Sequence, residues 1–392
     1  MSSPIEEPTK PARLGPLRFT EPSIGEDEVQ AVVAALRAGH IGGNGTISRR
    51  VQDHLAELCG VRRALLTPSA TTAMEVALIA SGVGPGDEVL MPGFAFVSHA
   101  NAILSTGAKP IFCDVDPVTL NIDPVEVERK LSPRSKMVMP VHYAGVACDM
   151  QPILDLAQRH GISVVEDAAQ GINAHWNGRH LGTIGLGGAI SFHSTKNIVA
   201  GEGGALLTDD EDFARQAEVI QEKGTNRSAF LRGEVDKYTW IGRGGSYVLS
   251  DLLAALLEVQ LARMGEMQVR RRATWDRYQE CLAPLEQAGR LRRPAPPEFA
   301  AHNAHIYFIL AETPELQDAI LVGLREREVQ ATFHFQPLHA SPYARDVLGL
   351  TEPLPVSERS AATIVRLPLH DGVTPEDAER VASAIEEICA QN

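Results

Sequence analysis

The chain has 392 residues, 44% of them hydrophobic, 22% charged and only 5% aromatic. That balance suits a globular protein of roughly two domains with a mainly aliphatic core. The 36 Lys and Arg against 50 Asp and Glu leave a formal charge of -14, which argues against general binding to nucleic acid or to an anionic membrane, though a local basic pocket remains compatible with it.

In chain order, residues 1–17 are rich in Pro, Ser and charge and lack an apolar h-region, so they are expected to form a flexible arm rather than a signal peptide. From Arg63 to about Asp210, within an expected large domain of residues 18–250, short apolar runs alternate with helical stretches. The expected strands are Ala64–Thr67, Glu88–Met91, Pro110–Val115, Met137–His142, Ser163–Glu166, Ala189–His193 and Ala205–Thr208. Several are apolar on both faces, the pattern of strands in a mostly parallel sheet covered by helices on both sides. The expected helices include Thr71–Ser81, Val97–Thr106, Pro124–Leu131 and Met150–His160, and the alternation predicts one large α/β domain. Gly82-Val83-Gly84-Pro85-Gly86 follows a helix and precedes a strand, the reverse of a dinucleotide fingerprint, and reads as a turn. After Ser250 the texture changes: a long helical stretch from Asp251 to Leu285, a Pro-rich linker at 293–297, a strand Ile306–Leu310 and helices at 315–327 and 375–388. Residues 251–392 are therefore expected to form a smaller C-terminal α+β domain.

The five cysteines are scattered and form no CxxC pair. Neither a zinc site nor a disulfide framework follows, and reduced thiols in a cytoplasmic protein are the simplest reading. The His302/His305 and His334/His339 pairs have no evident third ligand, so no metal is expected. No apolar run is long enough to span a bilayer.

Three segments carry chemistry. In Ser191-Phe192-His193-Ser194-Thr195-Lys196-Asn197 a lysine sits just past a buried strand, before Gly201-Glu202-Gly203-Gly204. Burial lowers a lysine's pKa and yields the neutral amine that Schiff-base chemistry needs; alone, the segment equally fits a surface lysine in a turn. Val164-Val165-Glu166-Asp167-Ala168-Ala169-Gln170 ends a strand in two carboxylates, where α/β sheets hold ligands. Asp167 could keep a pyridine nitrogen protonated, and a helix cap or ion pair is the plainer alternative. Leu66-Thr67-Pro68-Ser69-Ala70-Thr71-Thr72 opens a helix in small hydroxyl residues, suited to a phosphate or to simple capping.

The order of phosphate cup, aromatic stretch (Pro92-Gly93-Phe94-Ala95-Phe96), Asp167 and Lys196 is similar to that of enzymes with the pyridoxal-phosphate (PLP) aspartate-aminotransferase, or type I, fold. Met91-Pro92, Val141-His142-Tyr143-Ala144-Gly145, Glu166–Gln170 and Ser191–Asn197 resemble the DegT/DnrJ/EryC1/StrS sugar aminotransferases over nearly the whole chain from Arg18. Within that family, Glu222–Phe230, Asp236–Trp240 and His142–Met150 resemble the transaminases that aminate C4 of dTDP-4-keto-6-deoxy-D-glucose.

The resemblance implies that Lys196 forms the Schiff base with PLP and shuttles the proton, that Asp167 pairs with the ring nitrogen, and that Gln170 lies near the ring hydroxyl. Phe96 would stack on the ring. Ser69, Ala70, Thr71 and Ser191 would hold the phosphate. Ser246 stands where many relatives have an Asn that reaches the partner subunit's phosphate, and Val248 where they have Arg, which puts that contact in doubt. Lys223, Arg227 and Tyr238, with the further cations Arg232 and Lys237, and His334 and His339 in His334-Phe335-Gln336-Pro337-Leu338-His339, are the expected sugar-nucleotide contacts, although a solvated loop would read the same. The implied substrates are a dTDP-keto-deoxysugar and L-glutamate, and the implied assembly is a homodimer with shared active sites. A C3-aminotransferase would carry the same core motifs. A sugar dehydratase of this fold would have His in place of Lys196, and a non-catalytic PLP-binding regulator would not require the full set of Asp167, Gln170 and Lys196.

Overall fold

A computed structural model describes residues 15–39 and 41–392; most of the expected N-terminal arm, 1–14, lies outside the described residues. Leu17, at the arm's end, is buried and bridges to Val329. The core is a seven-stranded sheet made of β1 (Arg63–Thr67), β2 (Glu88–Pro92), β3 (Lys109–Cys113), β4 (Ser135–Val138), β5 (Ser163–Asp167), β6 (Gly187–Ser191) and β7 (Gly204–Thr208). Its spatial order is β1-β7-β6-β5-β4-β2-β3. Only β7 runs against its neighbours; the other pairings are parallel. The parallel type I architecture expected from the sequence is present. β4 stops at Val138 rather than continuing to His142 because Pro140 has no N–H to give to a ladder; the Pro140 carbonyl instead accepts Asp167 N–H at 2.8 Å.

Helices cover both faces of the sheet. Leu55, Leu90, Val138, Ile190 and Leu207 join one apolar cluster with the helix Thr46–Cys59; Leu65, Val89, Val165, Ala189 and Leu206 join another with the helix Ala70–Ala80. Strand alternation explains this division, since successive side chains point to opposite faces.

A second sheet of Leu291–Arg292, Tyr307–Ala311 and Ile364–Leu367 has its own core with the helices Pro314–Glu326 and Pro375–Gln391. The long helical stretch after Ser250 is divided into Asp251–Ala262 and Met264–Cys281. The join is at Arg263, whose guanidinium bonds the buried Glu28 carboxylate at 2.5 Å. Apolar contacts pass from one core to the other inside the second of these helices. Met264 and Met267 pack with the large sheet, whereas Trp275 and Tyr278 pack with the small one. Among the described residues, no helix is long and apolar enough to cross a membrane.

Candidate active site

Six of the seven strands run the same way, so their C-terminal ends lie along one edge. Register places the expected residues there: Thr67 of β1 and Ser191 of β6 both pair with Gly204 of β7, and Asp167 of β5 pairs with Ala189 of β6. The phosphate cup, the Lys196 loop and Asp167 are thus neighbours through sheet geometry alone. A side chain on Gly204 would run into the Ser69–Ala70 backbone, so this glycine is what lets the strand pass close beneath the cup.

The Ser69 hydroxyl accepts Thr72 N–H at 3.1 Å, and Thr72 Oγ1 accepts Ser69 N–H at 3.0 Å. Ser69 is occupied as a helix cap, the plainer of its two readings. The first N–H groups of the helix, on Ala70 and Thr71, remain for an anion, together with the half-buried Thr71 hydroxyl. Ser191 is buried, and its hydroxyl accepts His193 N–H at 3.3 Å.

The two strand-end carboxylates separate by alternation. Glu166 is fully buried and accepts N–H groups of Gly182, Ile184 and Gly185 at 2.7, 2.6 and 2.8 Å, plus His142 Nε2 at 2.8 Å. Burial alone would raise its pKa, but these donors hold it below the usual carboxylate range. Glu166 is saturated and structural. Asp167 points the other way. Its Oδ1 accepts Ala169 N–H at 3.1 Å, and its Oδ2 lies 3.2 Å from His99 Nδ1. Burial opposes its ionisation, yet His99, the Ala169 N–H and the positive charge of Lys196 together hold its pKa below normal. Asp167 is therefore the carboxylate that stays charged at the sheet edge with lone pairs to spare.

Lys196 is half-buried in the loop after β6. Desolvation brings its amine down to about 8; Asp167 pulls it up and Arg366 pushes it further down. Such an amine is partly a neutral base near physiological pH. The loop is pinned by Asn197, whose side chain donates to the Asn303 carbonyl at 3.0 Å and meets His305 Nδ1 at 2.8 Å. Arg271, fully buried, donates to the carbonyls of Ala304 and His305 behind it. Gln170 Oε1 accepts Ala144 N–H at 2.7 Å, and Asn303 Nδ2 donates to the Gln170 carbonyl at 2.8 Å.

Phe96 is exposed beside this group, its ring 6.1 Å from that of Phe335. His334 is stacked on Phe335 at 3.8 Å, and its Nδ1 meets the Tyr143 hydroxyl at 2.6 Å. Burial, Arg366 and Lys196 keep His334 well below the usual imidazole range, so it is neutral. Its companion His339 is buried and bonded to Glu358 at 2.8 Å, an arrangement that orders its own loop.

The other expected substrate residues lie elsewhere. Ser246 is exposed and bridges to Glu222; Lys223 and Tyr238 are exposed; Arg227 is ion-paired to Glu222 at 3.0 Å. Arg232 is paired with Glu218 and Glu234, so the basic loop is partly neutralised from within. Among the described residues, no hydrogen bond or ion pair joins this loop to Asp167, Lys196 or His334.

Sequence reasoning missed His99, Arg366, Asn303 and the partners Tyr143 and Asn197. A lone His in an apolar helix reads as core, Asn303 and Arg366 are far along the chain from the segments they act on, and Tyr143 and Asn197, although inside the quoted motifs, find their partners more than 100 residues away.

The arrangement fits PLP. A pinned amine, a charged carboxylate opposite it, free helix N–H groups beneath and an exposed aromatic ring complement the aldehyde, ring nitrogen, phosphate and ring face of that cofactor. Comparison with known proteins agrees. Residues 22–386 match the model of the DegT/DnrJ/EryC1/StrS aminotransferase family. Aminotransferase TlmJ from Streptoalloteichus hindustanus is 32% identical over 96% of this chain and 100% of that one, with a TM-score of 0.88. An aminotransferase from Psychrobacter cryohalolentis is 28% identical over 96% and 99% of the two chains, with a TM-score of 0.90. DesV from S. venezuelae, solved in complex with a ketimine intermediate, is 27% identical over 96% and 99%, with a TM-score of 0.87. The chain belongs to the DegT/DnrJ/EryC1/StrS aminotransferase family of PLP-dependent sugar aminotransferases.

Proposed function

We propose that this aminotransferase moves the amino group of L-glutamate to C4 of dTDP-4-keto-6-deoxy-D-glucose, giving a dTDP-4-amino-4,6-dideoxyhexose. The observation that carries the reaction type is the Lys196 amine, brought down to about 8 and placed across from a charged Asp167. The choice of C4 and of a dTDP sugar rests on the likeness of Glu222–Trp240 and His142–Met150 to the C4 subgroup.

Bound PLP supplies an electron sink for the charge that develops when a proton leaves the carbon bearing nitrogen. The protein's part is positional and acid–base. Asp167 holds a positive ring nitrogen through its charge. Lys196 Nζ, as the neutral amine, takes a proton from the amino donor's α-carbon and returns one to the sugar carbon. Ala70 and Thr71 N–H groups with Ser191 anchor the phosphate, and Phe96 covers the ring. Neutral His334, hydrogen-bonded to Tyr143, offers an uncharged polar contact to the sugar. Arg366 supplies positive charge near Lys196 for the dicarboxylate donor.

Lys223, Arg227, Tyr238 and Ser246 are assigned to the neighbouring site of a homodimer, since they are exposed or half-exposed and, among the described residues, form no hydrogen bond or ion pair with their own chain's Lys196. There the cations of the loop meet the substrate diphosphate. Reduced, scattered cysteines support a cytoplasmic enzyme.

The test offers purified enzyme L-glutamate with the 4-keto and 3-keto isomers of the dTDP-6-deoxy sugar, with NMR of the product. A C4 amine from the 4-keto isomer is expected. Higher kcat/KM on the 3-keto isomer would move the reaction to C3, and no amine from either would remove the sugar-nucleotide reading.

A further inference from the structure

His99 lies on the helix Val97–Ser105 that follows the aromatic stretch, and it is fully buried. An imidazole kept from water needs polar partners, because unpaired buried nitrogen is costly. Its Nε2 has none among the described residues. Its Nδ1 lies 3.2 Å from Asp167 Oδ2 but, like Nε2, makes no aligned hydrogen bond among the described residues. A carboxylate can only accept, so the nitrogen facing it must carry the proton. Alignment of that bond would improve as Asp167 settles against a partner of its own.

Lys196 faces Asp167 from the loop after β6, and His99 faces it from the helix; Glu166, next in sequence, is turned to the other side and taken up by His142 and three N–H groups. In a dry site, a carboxylate beside a pyridine nitrogen has two neighbouring states. Either the proton sits on the ring and the pair is charged, or it sits on the carboxyl oxygen and the pair is neutral. Desolvation favours the neutral pair. A fixed donor on the far carboxylate oxygen favours the charged one.

We propose that His99 is a positioning residue that donates from Nδ1 to Asp167 Oδ2 and so keeps the shared proton on the cofactor's ring nitrogen. This rests on the assignment of Asp167 and Lys196 to PLP and adds the group that makes Asp167 effective. No proton is gained or lost overall; the proton moves along the Asp167–ring axis, and His99 sets where it rests.

The experiment reconstitutes holoenzyme with PLP carrying nitrogen-15 in the ring and reads the ring-nitrogen chemical shift, beside PLP affinity and the kcat and KM for the sugar nucleotide. The wild type should give the shift of a protonated ring, and Asp167→Asn should lose it. His99→Ala should move the shift toward that of an unprotonated ring, with the ratio of the two forms changing about tenfold, the effect of one hydrogen bond to a charged group. Its kcat should fall by about the same factor at unchanged KM. His99→Asn, whose amide N–H can stand where Nδ1 stood, should restore the wild-type shift, whereas His99→Gln, which places its amide nearer the Nε2 position, should not. This contrast separates donation from space-filling and remains readable if the alanine variant fails to fold. His99→Ala or His99→Gln with the wild-type shift would overturn the proposal while leaving the Asp167 assignment standing. An Asp167→Asn enzyme with the wild-type shift would overturn both.

Discussion

Lys196 is expected to be a burden to the protein when the cofactor is absent. Its amine falls from an ordinary 10.5 to about 8 through desolvation. At 1.36 kcal/mol per pH unit, this corresponds to about 3 kcal/mol of destabilisation from forcing an ammonium into that site, and the figure already contains the attraction of Asp167. The folded-state pKa is the lower one, so the cost is fully present below about pH 8 and fades as pH rises toward 10.5. Lys196→Met keeps much of the length of the side chain and removes the charge. In cofactor-free protein at pH 7 the variant should unfold at higher temperature. With an unfolding entropy of roughly 2.1 cal/mol/K per residue over 392 residues, the gain is about 4 °C. At pH 10 the gain should fall below about 1 kcal/mol, and catalysis should be lost at every pH. Scanning calorimetry of both apoproteins at the two pH values is the assay. A variant less stable than wild type, or a gain that does not change with pH, would show that the amine is neither desolvated nor strained by its charge, and the case for it as a primed base would fall.

Four further outcomes follow from the site. Asp167→Asn should fold normally and lose turnover by about a thousandfold, the loss of about 4 kcal/mol of charge pairing with the ring nitrogen; near-normal kcat in a steady-state assay would place the role elsewhere. Glu166→Gln should instead be read in stability, since it replaces a buried carboxylate that accepts three N–H groups and His142 Nε2 by an amide whose NH2 faces those donors, and a cost of about 3–5 kcal/mol is expected in urea unfolding. Gly204→Ala should spread the strand from the Ser69–Ala70 turn and weaken PLP binding, measured by equilibrium dialysis, with Lys196 intact. Arg227→Ala should raise KM for the sugar nucleotide and leave that for glutamate; if its site is the neighbour's, mixing it with Lys196→Ala subunits should recover activity in hybrid dimers.

The chemistry-bearing core was readable because it depends on order along the chain. A strand followed by a small-residue helix start, a strand ending in Asp and a strand ending before Lys need only a parallel sheet to bring them together, and the apolar strands announce that sheet. What was not readable depends on direction and on partners. Of the pair Glu166-Asp167 the family resemblance singled out Asp167, but what separates the two physically is strand alternation, anchored by the register of Asp167 with Ala189, which seals one carboxylate with N–H groups and turns the other toward Lys196. The Ser69 hydroxyl caps its helix by accepting Thr72 N–H, a use that the sequence left open beside a phosphate contact.

The basic loop illustrates the same limit from the other side. Four cations within fifteen residues look like an anion site, yet Glu218 and Glu222, spaced on the preceding helix and its end, neutralise Arg232 and Arg227. Lys223 and Lys237 remain exposed, and Arg227 is only half-buried in its pair. Glu222 is buried, but it keeps a second donor in Asn44 Nδ2 at 2.9 Å, so a diphosphate with its two charges can compete for Arg227 without leaving the carboxylate unpartnered. The ion pair therefore does not argue against the loop's assignment; it keeps the arginine ordered and soluble until a stronger anion arrives. On this reading, high salt should weaken sugar-nucleotide binding by wild type more than by Arg227→Ala, because only the wild type has that charge to lose. Equal salt slopes for the two proteins would leave Arg227 tied to Glu222 throughout and return the loop to solvent.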